Sequence, residues 1–403
     1  MFRTFCKRCL SALGPGFTPF CPDCGGIANV EYELESVRLR ESPNPYVRFR
    51  DLLPVVDDGL LPDDAAFTPT VHATRLGDEL GMPSLYLKDE TGLPTATTKD
   101  RMAAVALAYL YEHGVRGFAT SSTGNSSTAY AHAISRVPDV VMYLFTASQF
   151  RDRVDVPAAD RVVNYILRDA TFVEAFDAAR DFAEEHGYTS ERGFFNPGRR
   201  EGLKLAWLEA ADQVPRRIDW YVQAVSSAMG VYGAYKGAKE LHALGHSGPP
   251  PALLCVQQET CAPMVGAWED GSETIRPEHI VERPTGIAKP ILRGNPSRAY
   301  PHVREIVVES GGTFVAVSEH QIRDARDEVE ELEGVRPCFA AAAAMAGLIE
   351  LRRRDGLDPD DTVLVNLTGG ERQPREPITD ARWLRRSDQG WVPEAEYSTW
   401  TRV

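Results

Sequence analysis

The chain has 403 residues, 43% hydrophobic and 25% charged, the composition of a globular protein large enough for two or three domains. A formal net charge of −14 and a pI near 5.2 exclude a general nucleic-acid or anionic-membrane binder and leave room only for a local basic pocket. The opening MFRTFCKRCL has no long apolar run behind its charges, and no stretch of about 18 apolar residues occurs. Neither a leader nor a membrane span is expected, and the expected location is the cytoplasm.

Two cysteine pairs open the chain, Cys6-x-x-Cys9 and Cys21-x-x-Cys24, with eleven residues between them. Paired CxxC knuckles in a reducing compartment suit a tetrahedral thiolate zinc site, and Gly25-Gly26 permits the tight turn behind the second pair. Redox dithiols or an empty knuckle are the competing readings. Residues 1–30 are thus expected to form a zinc ribbon. It has no basic cluster beyond Lys7 and Arg8, so nucleic acid is not its expected partner. Cys255, Cys261 and Cys338 lie in apolar surroundings and read as buried thiols.

Residues 31–87 read as an arm with short strands and the proline-punctuated LLPVVDDGLLPDD. An alternation then begins. SLYLKDE is a strand and DRMAAVALAYLYEHG a helix closed by Gly114; GFATSST is a strand and SSTAYAHAISR a helix. VVMYLFTA is an apolar strand, and FDAARDFAEEHG is a helix closed by Gly187. DWYVQAVS, ALLCVQQE and DTVLVNLTG are further buried strands; VYGAYKGAKELHALG, QIRDARDEVEELEG and AAAAAMAGLIELRRRDG are further helices. Strands and helices alternating at these lengths predict parallel sheets covered on both faces. Ligands of such sheets bind beyond the carboxyl ends of the strands, where loops meet helix starts.

Four loops of that kind stand out. In TATTKDR, Lys99 sits at the mouth of a helix, where a cation is disfavoured. The same placement suits a lysine that works as a neutral nucleophile, because desolvation and nearby positive potential lower its pKa. SSTGNSS (121–127) offers hydroxyls, N–H groups at a helix start and the amide of Asn125, a cradle for a small anion as well as an ordinary cap. AVSSAMGVYGAYKG (224–237) could present N–H groups to a phosphate, but matches neither GxxxxGK[ST] nor GxGxxG. NLTGGERQP (366–374) places Thr368 at the end of a late strand, or is simply a Gly-Gly turn.

Taken in chain order, these elements resemble the fold-type II pyridoxal-phosphate enzymes and, within them, the threonine synthase family. The resemblance runs from about residue 60 to 375 and takes in the zinc-ribbon segment. LYLKDETGLPTATTKDR, SSTGNSSTAYA, FNPGRREGLKLAWLEA, VQQETCAPMVGAW and PILRGNPSRAY carry it. It implies an α/β fold with two open parallel-sheet domains: 88–205 with the lysine and substrate loop, 206–403 with the phosphate-binding loop and C-terminal tail, and 31–87 as an arm of the latter. It implies that Lys99 bonds the cofactor and moves protons on the substrate, and that Asn125 hydrogen-bonds the cofactor's phenolic oxygen. Thr123, Gly124, Ser126 and Ser127 would line the site for the substrate carboxylate. Ser226, Ser227, Ala228, Met229 and Gly230 would wrap the cofactor phosphate, and Thr368 would face the pyridine nitrogen. Arg101, Arg199 and Lys204 are the candidates for an anionic leaving group, against a reading as plain ion pairs. The family commonly forms homodimers.

The sequence also departs from the family. Thr97-Thr98 replaces Ser-Phe before the lysine, the phosphate loop reads SSAMG, Cys338-Phe339 replaces Glu-Pro, and LTGGE replaces LTGHG. The related cysteate synthases also begin that phosphate loop with Gln-Ala-Val. The expected activity is elimination and replacement at the β or γ carbon of an O-phosphorylated amino acid. The alternatives are conversion of O-phosphohomoserine to threonine, or a non-catalytic cofactor-holding or zinc-ribbon scaffold.

Overall fold

The computed structural model describes residues 1–63, 67–156, 159–372, 380–388 and 390–394. Asp64 of the arm, Gln373-Pro374 of the late loop and the expected tail beyond residue 394 lie outside them.

The chain opens with an antiparallel ribbon of β1 (Phe2–Cys6) and β2 (Ala28–Tyr32), and α1 (Pro45–Arg48) lies in the arm. Then follow β3 (Thr70–His72), α2 (Thr74–Leu80), β4 (Leu85–Asp89) and α3 (Lys99–Glu112). The middle of the chain gives β5 (Gly117–Ser121), α4 (Asn125–Ala133), β6 (Val141–Ala147), β7 (Val162–Leu167), α5 (Phe172–His186) and β8 (Thr189–Ser190). Next are α6 (Pro197–Leu203), α7 (Leu205–Gln213), β9 (Trp220–Ala224), α8 (Met229–Ala243), β10 (Ala252–Gln258), α9 (Pro263–Glu269) and α10 (Tyr300–Glu309). The last elements are β11 (Thr313–Val317), α11 (Glu319–Glu333), α12 (Phe339–Arg353), β12 (Val363–Leu367), β13 (Arg382–Ser387) and β14 (Gly390–Pro393).

Among the described residues two six-stranded sheets carry the fold. The first has the order β11-β10-β9-β12-β4-β3, parallel except for β3; the second has the order β14-β13-β7-β6-β5-β8, parallel except for β14. The central strands are apolar runs because helices cover both faces: every residue of VLVNL in β12 is buried. Local signals set the helix ends. Thr171 and Glu174 form a capping box at the start of α5, and Gly187 ends that helix in the left-handed conformation (φ 70°).

The sheets do not divide where the expected boundaries lay. β4 spans the boundary at residue 88 yet belongs wholly to the first sheet, and β13 and β14, expected in the 206–403 domain, complete the second. Without β13, the apolar β7 would present an open edge; Leu384 of β13 is buried beside Phe145, Tyr165 and Leu167. The ribbon is fastened to α6 by buried polar contacts. Arg200 donates to Ala28 O, and Tyr32 Oη donates to Glu201 Oε2 (2.7 Å). Among the described residues no helix is long and apolar enough to cross a membrane.

Candidate active site

The residues of KDR (99–101) go to three different places. Lys99, the first residue of α3, lines a cavity between the two sheets. Asp100 holds the preceding turn, accepting from Thr95 N–H (2.7 Å) and Thr95 Oγ1 (2.6 Å). Arg101 points to the core. Thr98 N–H donates to Thr368 O (2.9 Å) and Cys338 N–H to Gly369 O (3.0 Å), so the late loop ties the lysine turn to the start of α12.

Burial, with a smaller contribution from the Arg199 charge, lowers the Lys99 amine to about 7. No carboxylate pairs with it among the described residues. Facing it are the starts of α4 and α8. Ala228 sits in the left-handed region (φ 58°), turning the chain into α8, and the N–H groups of Ser226 to Gly230 have no protein acceptor among the described residues. Such orphan donors at a helix start form a ready anion cradle. The N–H groups of Asn125, Ser126 and Ser127 are likewise free at the start of α4.

The structure brings Lys99, Thr123, Asn125, Ser126, Arg199, Ser226, Ser227, Ala228, Met229, Gly230 and Thr368 to one cavity. Gly124 and Ser127 shape the loop instead of lining it. Gly124 has φ 116°, and a Cβ there would lie 2.7 Å from Arg153 Cβ; Ser127 Oγ donates to Gly124 O (3.1 Å). Asn125 Oδ1 accepts from Arg372 (2.7 Å), which fixes the amide with its other end free. Neither Arg153 nor Arg372 was foreseen.

Two expected anion-binding residues are structural. Arg101 is fully buried; it donates to Glu90 Oε2 (2.7 Å) and Thr68 Oγ1 (2.7 Å) and pairs with Glu209, which also holds Lys88 (2.7 Å). Two positions along a helix from Lys99, it faces the opposite side. Lys204 is fully buried between Glu201 (2.5 Å) and Glu240 (2.7 Å), over the Tyr32 ring. Only Arg199 of the three reaches the cavity, paired with Glu191 (2.7 Å) and Ser126 Oγ (2.7 Å).

Four cavity residues carry a buried polar atom without a protein partner: Thr98 Oγ1, Ser121 Oγ, Arg199 Nε and Arg293 Nε. Arg293 and the aromatic pair Phe172 and Phe176 were not anticipated. A searchable signal existed, since residues 283–304 contain Arg293 and several other cations but no Asp or Glu. Orphaned donors and hydroxyls around an amine of low pKa fit pyridoxal phosphate: an aldehyde for the amine, a phosphate for the helix start, a polar ring between them.

Away from this cavity, Cys6, Cys9, Cys21 and Cys24 converge, all four Sγ atoms within 4.8 Å of one another. A Cβ on Gly26 would lie 2.7 Å from Cys6 Sγ, so the knuckle needs glycine there. Of the other cysteines, Cys255 and Cys261 are buried, whereas Cys338 is half-buried and lines the cavity.

The fold and site define a pyridoxal-phosphate-dependent enzyme, and the chain belongs to the family described as "Pyridoxal-phosphate dependent enzyme", whose model matches residues 62–369. It is 30% identical to threonine synthase of Methanosarcina acetivorans over 357 residues, covering 87% of this chain and 86% of that one. It is 29% identical to cysteate synthase of Methanoculleus marisnigri over 427 residues, 97% of each chain. Among solved structures it is similar to threonine deaminase isoform 2 of Solanum lycopersicum, with a TM-score of 0.63, 20% identity, and coverage of 76% of this chain and 80% of that one; this shows the shared fold.

Proposed function

We propose that the chain is a threonine synthase-like enzyme that eliminates and replaces a substituent at the β or γ carbon of an O-phosphorylated amino acid, with pyridoxal phosphate held at Lys99. The observation that carries this is Lys99 itself: an amine brought to about 7, without a carboxylate partner among the described residues, in one cavity with two helix starts whose N–H groups are free. When bound, the cofactor supplies an electron sink for carbanion chemistry next to the substrate nitrogen.

The chain's own groups do the rest. Lys99 Nζ, neutral above about pH 7, is the nucleophile for the cofactor aldehyde and the base that takes and returns protons at the substrate carbons. The N–H groups of Ser226 to Gly230 hold the cofactor phosphate at the start of α8. Asn125, oriented by Arg372, donates through its free amide end, and Thr368 offers a neutral hydroxyl to the ring nitrogen. Thr123, Asn125 and Ser126 receive the substrate carboxylate at the start of α4. Conversion of O-phosphohomoserine to threonine is the narrower reading. The similarity to both threonine and cysteate synthases supports the broader one.

Four cysteine Sγ atoms within 4.8 Å suit structural zinc, whose tetrahedral thiolate sites have Zn–S near about 2.3 Å and sulfur separations of about 3.8 Å. A cytoplasmic homodimer acting on a small-molecule amino acid, without nucleic-acid or membrane partners, completes the proposal.

The test is the visible spectrum of purified protein, alone and with O-phosphohomoserine or O-phosphoserine. A yellow band lost in Lys99→Ala establishes the cofactor and its attachment. A response to phosphohomoserine with phosphate release assigns γ chemistry; a response to phosphoserine alone assigns β-replacement. No band after incubation with pyridoxal phosphate refutes the enzyme reading.

A further inference from the structure

Gln223, the penultimate residue of β9, lines the cavity just before the chain turns into α8. An amide near the end of a buried parallel strand stands among apolar neighbours and needs hydrogen-bond partners. β9 lies beside β12, and there the acceptor end is satisfied. Gln223 Oε1 accepts from Tyr221 Oη (2.8 Å) and from Asn366 Nδ2 (3.2 Å). Asn366 Nδ2 also donates to Tyr221 Oη (2.7 Å), so the three buried side chains close a triangle. The triangle fixes which end of the amide turns toward α8. A Cβ built on Gly230 would lie 2.5 Å from Gln223 Nε2 and 3.1 Å from its Oε1, so Nε2 is the end against the first turn of the helix. Among the described residues nothing accepts from Nε2. Nor is it one of the orphaned atoms sealed in the core, so its N–H groups open on the cavity that Gln223 lines. A fixed donor without an acceptor, beside a helix start whose own N–H groups are free, adds a side chain to an anion cradle otherwise made of backbone.

We propose that Gln223 is a cofactor-holding residue of this chain: its Nε2 donates to the phosphate seated at the start of α8, with Tyr221 and Asn366 as its positioning residues. This rests on the cofactor reading given above. The phosphate is then gripped from two sides, by an amide on the sheet and by backbone N–H groups on the helix. A hydrogen bond to a charged acceptor is stronger than one between neutral groups, and an amide already held by its other end loses little freedom in making it. The same contact explains the glycine at 230, since any side chain there would displace the amide.

The test reconstitutes the full chain, stripped of cofactor, with pyridoxal phosphate and separately with pyridoxal, which has the same ring and aldehyde but no phosphate. Affinities are read from the visible band, and the phosphorus NMR resonance of each loaded protein and its thermal midpoint are recorded in parallel. Gln223→Leu removes the donor and is expected to weaken pyridoxal phosphate about 10- to 100-fold, leave pyridoxal little changed and move the phosphorus resonance. That variant also strands Tyr221 and Asn366, so Gln223→Glu is the second: one carboxylate oxygen keeps both of their bonds, and the other puts negative charge where Nε2 stood. Its loss of affinity for pyridoxal phosphate is expected to exceed that of Gln223→Leu. Equal weakening of the two aldehydes assigns Gln223 to packing and overturns the proposal, as does an affinity for pyridoxal phosphate that neither variant changes. The cofactor reading fails separately, on a wild type that binds neither aldehyde, and the proposal falls with it.

Discussion

Replacing Arg101 with Met separates a structural cation from a ligand-binding one. Arg101 holds Glu90 and Glu209 in a site where its side chain and that of Glu90 are fully buried. Arg101 and its neighbours overcome the opposing effect of burial and keep the Glu90 carboxyl at about 2 instead of 4.5. That difference corresponds to about 3 kcal/mol of stability, present above pH 4.5 and lost as pH falls through about 2. Arg101→Met preserves much of the volume but leaves Glu90 with Thr68 as its hydrogen-bond partner and Lys88 as a more distant charge. Breaking a buried pair from one side costs about 3–5 kcal/mol, in line with the value worked from Glu90. The urea midpoint at pH 7, followed by circular dichroism, should fall by about 1–2 M. The gap to wild type should narrow as pH drops from 4.5 toward 2, because the wild type then loses the stabilisation of its ionised Glu90. The affinity of the folded variant for O-phosphoserine should be unchanged. A pH 7 midpoint equal to wild type, with phosphoserine binding weakened about tenfold or more, would refute the reasoning and return Arg101 to the substrate.

Three further outcomes follow from the same structure. Stripped of cofactor, the protein should take up pyridoxal phosphate at a rate that rises with pH and levels off with a midpoint near 7, because the Lys99 amine is neutral above that value; a rate still climbing above pH 9 contradicts its burial. Gly124→Ala forces a side chain into φ 116° against Arg153, and should lower stability by about 1–3 kcal/mol in thermal melts and weaken the visible band by displacing Asn125. One zinc per chain is expected by atomic absorption. Cys21→Ser should reduce it and lower the melting temperature, because the ribbon packs on α6 through Arg200 and Tyr32; full metal content in that variant would argue against the four-thiolate site.

The elements closest to the chemistry were legible because their local chemistry is explicit. Lys99 at a helix mouth, the Ser-Thr-Gly-Asn turn and the SSAMG turn each combine a strand end with an anion-accepting helix start, and the structure gathers them. Charge partners were not legible. The carboxylates that absorb Arg101 lie at Glu90 and at Glu209, more than a hundred residues on; those around Lys204 include Glu240 from α8. No local pattern distinguishes a cation that will meet such a partner from one that will meet a ligand. The strand β13, between β14 and β7, was missed for a related reason, since ARWLRR shows its apolar face only once β7 is there to pair with.

Partnering, more than residue type, then separates the cations of this protein. Lys88, Arg101 and Lys204, buried, and Lys236, half-buried, are cations that meet carboxylates within 3 Å, and their attraction holds helices to sheet and ribbon. Arg199 is intermediate, one face on Glu191 and Nε free toward the cavity. Lys99 and Arg293 are the cavity cations with no carboxylate among the described residues, and both have lowered pKa values, at about 7 and about 10. For the lysine, that lowering produces a neutral nucleophile near physiological pH. An arginine at about 10 is still charged there. The two residues come from distant parts of the chain, α3 and the loop before α10, and line one cavity.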